Sequence, residues 1–228
     1  MENIIVAEGL RKEYDGFALE DVSFRVPGGA IMGLIGENGA GKTTTIKCLL
    51  NLVRRDAGTV TLLGMDDLEG EKEIKQDVGV VLDECFFHDS LRPKDLKRIL
   101  GPIYPTWDDN LYADYLKKFK LPEEKLIKEF SRGMKMKLSI TVALSHQPRL
   151  LILDEATSSV DTRTEERIQM AMDNLMEGRT SFVIAHRLST IRNADCILVM
   201  DNGKLAGQGR EHPSKFRGIY CFSPFRVL

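Results

Sequence analysis

Long hydrophobic runs are missing from this chain. No stretch approaches the roughly 18 consecutive apolar residues that a membrane-crossing helix needs. The most apolar segments, Leu150–Leu153 and Cys196–Met200, are short, are followed by acids and read as buried strands. The opening residues, MENIIVAEGLRKEY, hold no basic region followed by an apolar one, so no secretory leader is expected. Cysteine is scarce: Cys48, Cys85, Cys196 and Cys221 lie far apart and form no C-x-x-C pair. That excludes a disulfide scaffold and suggests free thiols in a reducing compartment. An excess of one charge is also lacking. Thirty-two Lys and Arg against 34 Asp and Glu leave a net charge of −2. Such a balance gives no global attraction for nucleic acid or for an anionic membrane. Work at a membrane would therefore pass through a partner. Internal repeats and low-complexity stretches are absent as well.

What is present is ordinary for a soluble globular protein: 228 residues, 43% apolar and 29% charged. The length suits one domain, with a core large enough to need no staples. Ile4–Val6 and the loosely alternating Phe17–Val26, stopped by Pro27-Gly28-Gly29, suggest antiparallel strands. Ala30–Ile35 reads as a strand running into a glycine-rich loop, and Thr44–Val53 has helical spacing. Thr59–Leu63 and Val78–Leu82 read as further strands. From about Asp83 to Leu144 the pattern is helical and lysine-rich, divided by Pro93, Pro102, Pro105 and Pro122. Strands return at Leu150–Leu153, Ser181–Ala185 and Cys196–Met200, with a helix from about Thr164 to Met176 between the first two. Asn202-Gly203 signals a turn into a last short strand. Strands alternating with helices predict an α/β fold with a mostly parallel sheet, and the helical insert predicts a subdomain.

Residues 36–43 read GENGAGKT and fit G-x-x-x-x-G-K-[ST]. Glycines let consecutive N–H groups point into one concavity, and the following helix adds its positive end. Gly36, Glu37, Asn38, Gly39, Ala40, Gly41, Lys42, Thr43 and Thr44 are thus candidate phosphate-binding residues. Lys42 can reach β- and γ-phosphates, and the Thr43 hydroxyl can coordinate Mg²⁺. The strand Leu150–Leu153 ends in Asp154 and Glu155 at the sheet edge, where ligands bind in such folds. Asp154 suits Mg²⁺, and Glu155 suits a general base for water. Strands often end in acids because loops are polar; the upstream phosphate loop gives this pair its meaning.

Three more segments follow in order: FSRGMK at 130–135, SSVD at 158–161 and VIAHR at 183–187. With GENGAGKTT and LLILDE they resemble the nucleotide-binding subunits of ABC (ATP-binding cassette) transporters, over about Ile4 to Gly209. The resemblance implies a P-loop NTPase core with an N-terminal antiparallel β subdomain and an α-helical insert. It also implies ATP and Mg²⁺ as ligands. The whole chain, 1–228, would be one such domain. Residues 1–82 and 146–209 would form the nucleotide-binding core with its β subdomain. Residues 83–145 would form the helical subdomain carrying the signature, and 210–228 an atypical tail. Two copies would sandwich two ATP molecules head to tail. Ser131 and Gly133 resemble the signature that reaches the partner's nucleotide, with Ser131 also fit to cap the next helix. Asp161 resembles the residue linking the two sites. His186 resembles the histidine that contacts the γ-phosphate and holds the attacking water, and Tyr14 the aromatic that stacks on adenine.

The sequence also departs from the family pattern. Asp83 falls where the family usually has a glutamine that senses Mg²⁺ and γ-phosphate; a carboxylate there can still bind metal or water. The signature SRGMK and the segment IYPTWD at 103–108 resemble ABC-2-type or bacitracin-type exporters with separate membrane subunits. DEATSSVDTRTEERIQ and the strand leading to VIAHRLST resemble exporters with fused membrane domains. The change near Leu150–Glu155 suggests a chimera of two subfamilies, with an imperfect core at the junction. The implied role is ATP hydrolysis powering export of a drug or peptide, at the cytoplasmic face of the membrane. The chain would be a peripheral subunit on a transmembrane permease, paired as homodimer or heterodimer with a second ATP-binding subunit, without nucleic acid. The alternatives are an ATP-binding module with little turnover and a soluble ABC ATPase outside transport.

Overall fold

The computed structural model describes residues 2–66, 68, 71–82, 85–154, 176, 178–185 and 191–209. In chain order these form β1 (Asn3–Tyr14), β2 (Phe17–Pro27), β3 (Ile31–Gly36), α1 (Lys42–Leu49), β4 (Ala57–Leu62), β5 (Met65–Asp66), α2 (Glu71–Asp77) and β6 (Val78–Val81). There follow α3 (Pro93–Leu100), α4 (Asp109–Lys118), α5 (Arg132–Ser145), β7 (Leu150–Asp154), β8 (Thr180–Ile184), β9 (Cys196–Asp201) and β10 (Lys204–Gly209). One antiparallel sheet runs β2-β1-β4-β5 and a second runs β10-β9-β3-β8-β7-β6. Within the second, β3 pairs in parallel with β8 and β9, β7 with β8 and β6, and only β10 is antiparallel. The α/β class and the mostly parallel sheet are as expected.

β7 shows why its sequence is uniformly apolar. Alternate strand residues point to opposite faces. Leu150 and Ile152 enter a core shared with the antiparallel sheet and α1, while Leu151 and Leu153 enter one shared with α4 and α5. A sheet covered on both sides leaves few polar positions. All five residues of β7 are buried and pair with β8, and Leu150–Leu153 pair with β6 as well, so the imperfect fit anticipated at the junction is not seen in this strand. Phe24 of β2 stacks on Phe182 of β8 at 5.4 Å between ring centroids, joining the two sheets.

β1 was legible only in part, and α2 and the two-residue β5 not at all. β1 runs to Tyr14, well past the expected Ile4–Val6, because its later residues alternate poorly. Register shifts between Ala7 and Leu10 and between Leu10 and Lys12 break the two-residue period. α2 buries only Ile74 and so carries almost no apolar signal. The prolines behave as expected: Pro93 opens α3, and α4 lies between Pro105 and Pro122. Asp108 caps α4 by accepting from Asn110 and Leu111 N–H, and the buried Tyr112 hydroxyl donates to the Pro93 carbonyl at 2.8 Å.

His146, just after α5, ties the helical elements to the core. Its ring stacks on Tyr104 at 4.1 Å, and its Nδ1 lies 3.2 Å from the Gln76 carbonyl at the end of α2. Burial pushes its pKa from 6.5 down to about 4, against the opposing pull of the Gln76 carbonyl and the Asp77 carboxylate. The folded chain thus holds this ring neutral where the unfolded chain protonates it. Stability contributed here is full above pH 6.5 and falls as the pH drops toward 4, by up to about 3 kcal/mol. The urea midpoint of His146→Gln should show a smaller loss than the parent between pH 6.5 and 4; equal pH slopes would disprove the assignment.

Candidate nucleotide site

β3 is the central strand of its sheet and delivers the loop Gly36–Gly41 to the carboxyl edge, directly ahead of α1. Gly39 and Gly41 have φ of 84° and 103°, in the left-handed region. Gly41 occupies the N-cap of α1, and no side chain caps that helix end. The first N–H groups of a helix lack intrahelical partners, which makes this end an anion site. A Cβ on Gly41 would stand 2.9 Å from Phe17 Cζ and 3.1 Å from Leu19 Cδ1, so the floor of the loop admits only glycine. Ala40 is buried, Glu37, Asn38 and Gly39 are exposed, and Thr44 is half-buried.

Lys42 is buried, and its ammonium donates to the Gly36 and Glu37 carbonyls, both at 2.8 Å. An ammonium has three N–H donors, so one remains for a phosphate oxygen. Burial pushes its pKa down from 10.5, and the charge of Asp154 pulls it back up. Thr43 Oγ1 donates to Asp154 Oδ2 at 3.2 Å, joining the loop to the end of β7 across 111 residues of chain. A hydroxyl and a carboxylate side by side are hard oxygen donors of the kind Mg²⁺ takes with phosphates. The donor set therefore fits the metal.

Tyr14 ends β1 and is 43% exposed, so it is not a core aromatic. Lys12 Nζ lies 5.4 Å from its ring centroid and 3.1 Å from Asp56 Oδ1. Ser131 and Gly133 stand at the start of α5, the first exposed and the second buried. Ser131 caps the helix by accepting from Met134 N–H at 3.3 Å. Within one chain no hydrogen bond links them to the phosphate loop among the described residues. Asp83, Glu155, Asp161 and His186 lie outside the described residues. The sequence reading missed what stands behind the loop: Phe17, Leu19 and Met200 pack against Gly41. Asn202-Gly203 gave a signal, but only as a turn.

Residues 19–158 match the model of the ABC transporter family. The chain is 35% identical over 226 residues to a β-(1→2)-glucan export ATP-binding/permease protein of Rhodopseudomonas palustris, covering 92% of this chain and 37% of that protein. It is 34% identical to the ABC transporter ATP-binding protein YtrB of Bacillus subtilis, covering 80% of this chain and 63% of YtrB. Among solved structures, the ATP-binding subunit of an ABC transporter superposes with a TM-score of 0.82 at 25% identity, over 94% of this chain and 92% of that one. A bacterial Atm1-family ABC exporter with ATP bound gives 0.79 at 27% identity, over 96% of this chain and 40% of that one. The chain thus spans little more than a third of the glucan exporter's length. Its phosphate loop, its acid-ended strand β7 and these relatives agree: the chain belongs to the ABC transporter family, as a nucleotide-binding domain.

Proposed function

We propose that this chain hydrolyses ATP to power export of a drug or peptide through a transmembrane permease. It works at the cytoplasmic face as a homodimer or with a second ATP-binding subunit. The observation that carries the reading is the Thr43–Asp154 contact at 3.2 Å, which brings the phosphate loop and the acidic strand end into one oxygen-rich site.

In this reading the loop N–H groups and the remaining Lys42 donor bind the β- and γ-phosphates. Thr43 and Asp154, aided by Asp83, would hold Mg²⁺, which would supply positive charge to offset that of the phosphates. Glu155, next along the chain from Asp154, takes the proton of the attacking water. His186 orients that water, and Tyr14 supports the adenine. Ser131 and Gly133 present the α5 N-terminus to the nucleotide held by the other copy, and Asp161 links the two sites. The permease contact is supported by an apolar cleft of about 390 Å³ between the core and the helical elements. Leu49, Val80 and Phe87 line it, and Leu52 and Phe86 stand at 55% and 72% exposure among its lining residues.

The test is Mg²⁺-ATP hydrolysis by the purified chain against protein concentration, with Glu155→Gln as control. A rate that rises more than linearly and vanishes in the control is expected for sites shared between copies. ATP binding with a rate equal to the control would favour the binding module instead.

A further inference from the structure

We infer that the Asn202-Gly203 turn is a positioning element of the phosphate loop, holding the Ala40 carbonyl from behind so that the Gly41 N–H points to the loop's open side. The inference rests on the reading that this loop holds the triphosphate. Gly203 N–H donates to the Ala40 carbonyl at 3.1 Å. A trans peptide is planar, with its C=O and N–H on opposite sides. A bond that fixes the Ala40 carbonyl toward the turn therefore fixes the Gly41 N–H away from it. This is the peptide that leads into the helix N-cap, where Gly41 has φ 103°.

The turn is itself anchored. The Gly203 carbonyl accepts from Glu20 N–H at 2.8 Å, and Lys204 Nζ pairs with Glu20 Oε2 at 2.8 Å. Gly203 has φ 77°, and a Cβ there would lie 1.8 Å from the Ala18 carbonyl oxygen, so this seat tolerates no side chain. Three residues earlier, Met200 meets the same loop. Its carbonyl oxygen would lie 2.4 Å from a Cβ on Gly36, and its sulfur is 3.4 Å from Thr45 Oγ1. Loop and turn thus fit backbone to backbone, and glycine stands wherever they touch. Nothing in the motif GENGAGKT reports this, since its partner lies more than 160 residues away in the chain.

Asn202 offers the cleaner variant, because it is exposed and has φ 45°. A β-branched residue there is a backbone outlier, whereas glycine adopts that φ freely. Asn202→Val, Gly203→Ala and Asn202→Gly would be compared in the full chain, with Lys42→Ala testing the underlying reading. ATP affinity is measured in EDTA by calorimetry at 10 °C, below each melting transition. The Gly41 amide shift on adding ATP is read by ¹⁵N NMR. We expect Asn202→Val and Gly203→Ala to weaken ATP about ten-fold or more, the scale of one hydrogen bond to a charged group. The Gly41 shift should shrink with them, and Asn202→Gly should retain both. Folded variants with wild-type affinity and an unchanged Gly41 shift would overturn the inference. So would a failure of both Asn202→Val and Gly203→Ala to fold, since the turn would then serve stability alone. If Lys42→Ala binds ATP as well as the parent, the loop reading itself fails and the inference falls with it.

Discussion

Lys42→Ala should weaken ATP binding by about a hundred-fold or more and leave no measurable hydrolysis. Removing one partner of a close, desolvated charge pair costs about 2–5 kcal/mol, and the γ-phosphate loses its nearest cation as well. The fold should barely notice. In the free chain this ammonium is buried, and burial already presses its pKa down, so its charged form is held at a cost. Losing its two bonds to the Gly36 and Glu37 carbonyls opposes the relief from that cost. The melting temperature without nucleotide should therefore stay within about 3 °C of the parent. Titration calorimetry and a thermal melt on the same sample separate the two effects. Tight ATP binding by the folded variant would remove Lys42 from the site.

Glu155→Gln should also lose turnover but, unlike Lys42→Ala, should keep its ATP. The amide fills the same volume but accepts no proton from water, so turnover should fall by roughly 10²–10⁴-fold. ATP affinity should stay within a few-fold, because the loop, Lys42 and the Thr43–Asp154 pair are untouched. Single-turnover hydrolysis measures the first, and equilibrium binding the second. A variant that turns over at the parent's rate would assign the base elsewhere. A variant that loses ATP would make Glu155 a ligand rather than a base.

What the sequence disclosed was local. The loop was legible because its chemistry is contiguous: strand, glycines, lysine and threonine fall within eight residues of the strand's end. β7 was legible because burial on both faces leaves a plain apolar run. What escaped was set by distant partners. β1 lost its period to bulges, and α2 buries a single residue. Tyr14 was open to a core reading from sequence, and its exposure removes that reading. Ser131 was legible as a helix cap, and the structure gives it that bond. The bracing of Gly36 and Gly41 by Met200 had no local trace at all, because a backbone carbonyl supplies the contact at Gly36.

The placement of β3 also governs how this chain can be made. Its two neighbours, β8 and β9, come from residues 180–184 and 196–201. At ordinary translation speeds of about 5–20 residues per second, the strand leaves the ribosome on the order of ten seconds before the later neighbour exists. Both its edges stay open during that interval, and open apolar edges invite pairing with other chains. The antiparallel sheet has no such delay, since β1, β2 and β4 are all complete by residue 62. A nascent chain of this protein thus completes its N-terminal sheet early and the setting of its glycine-rich loop late, although that loop is encoded before β4.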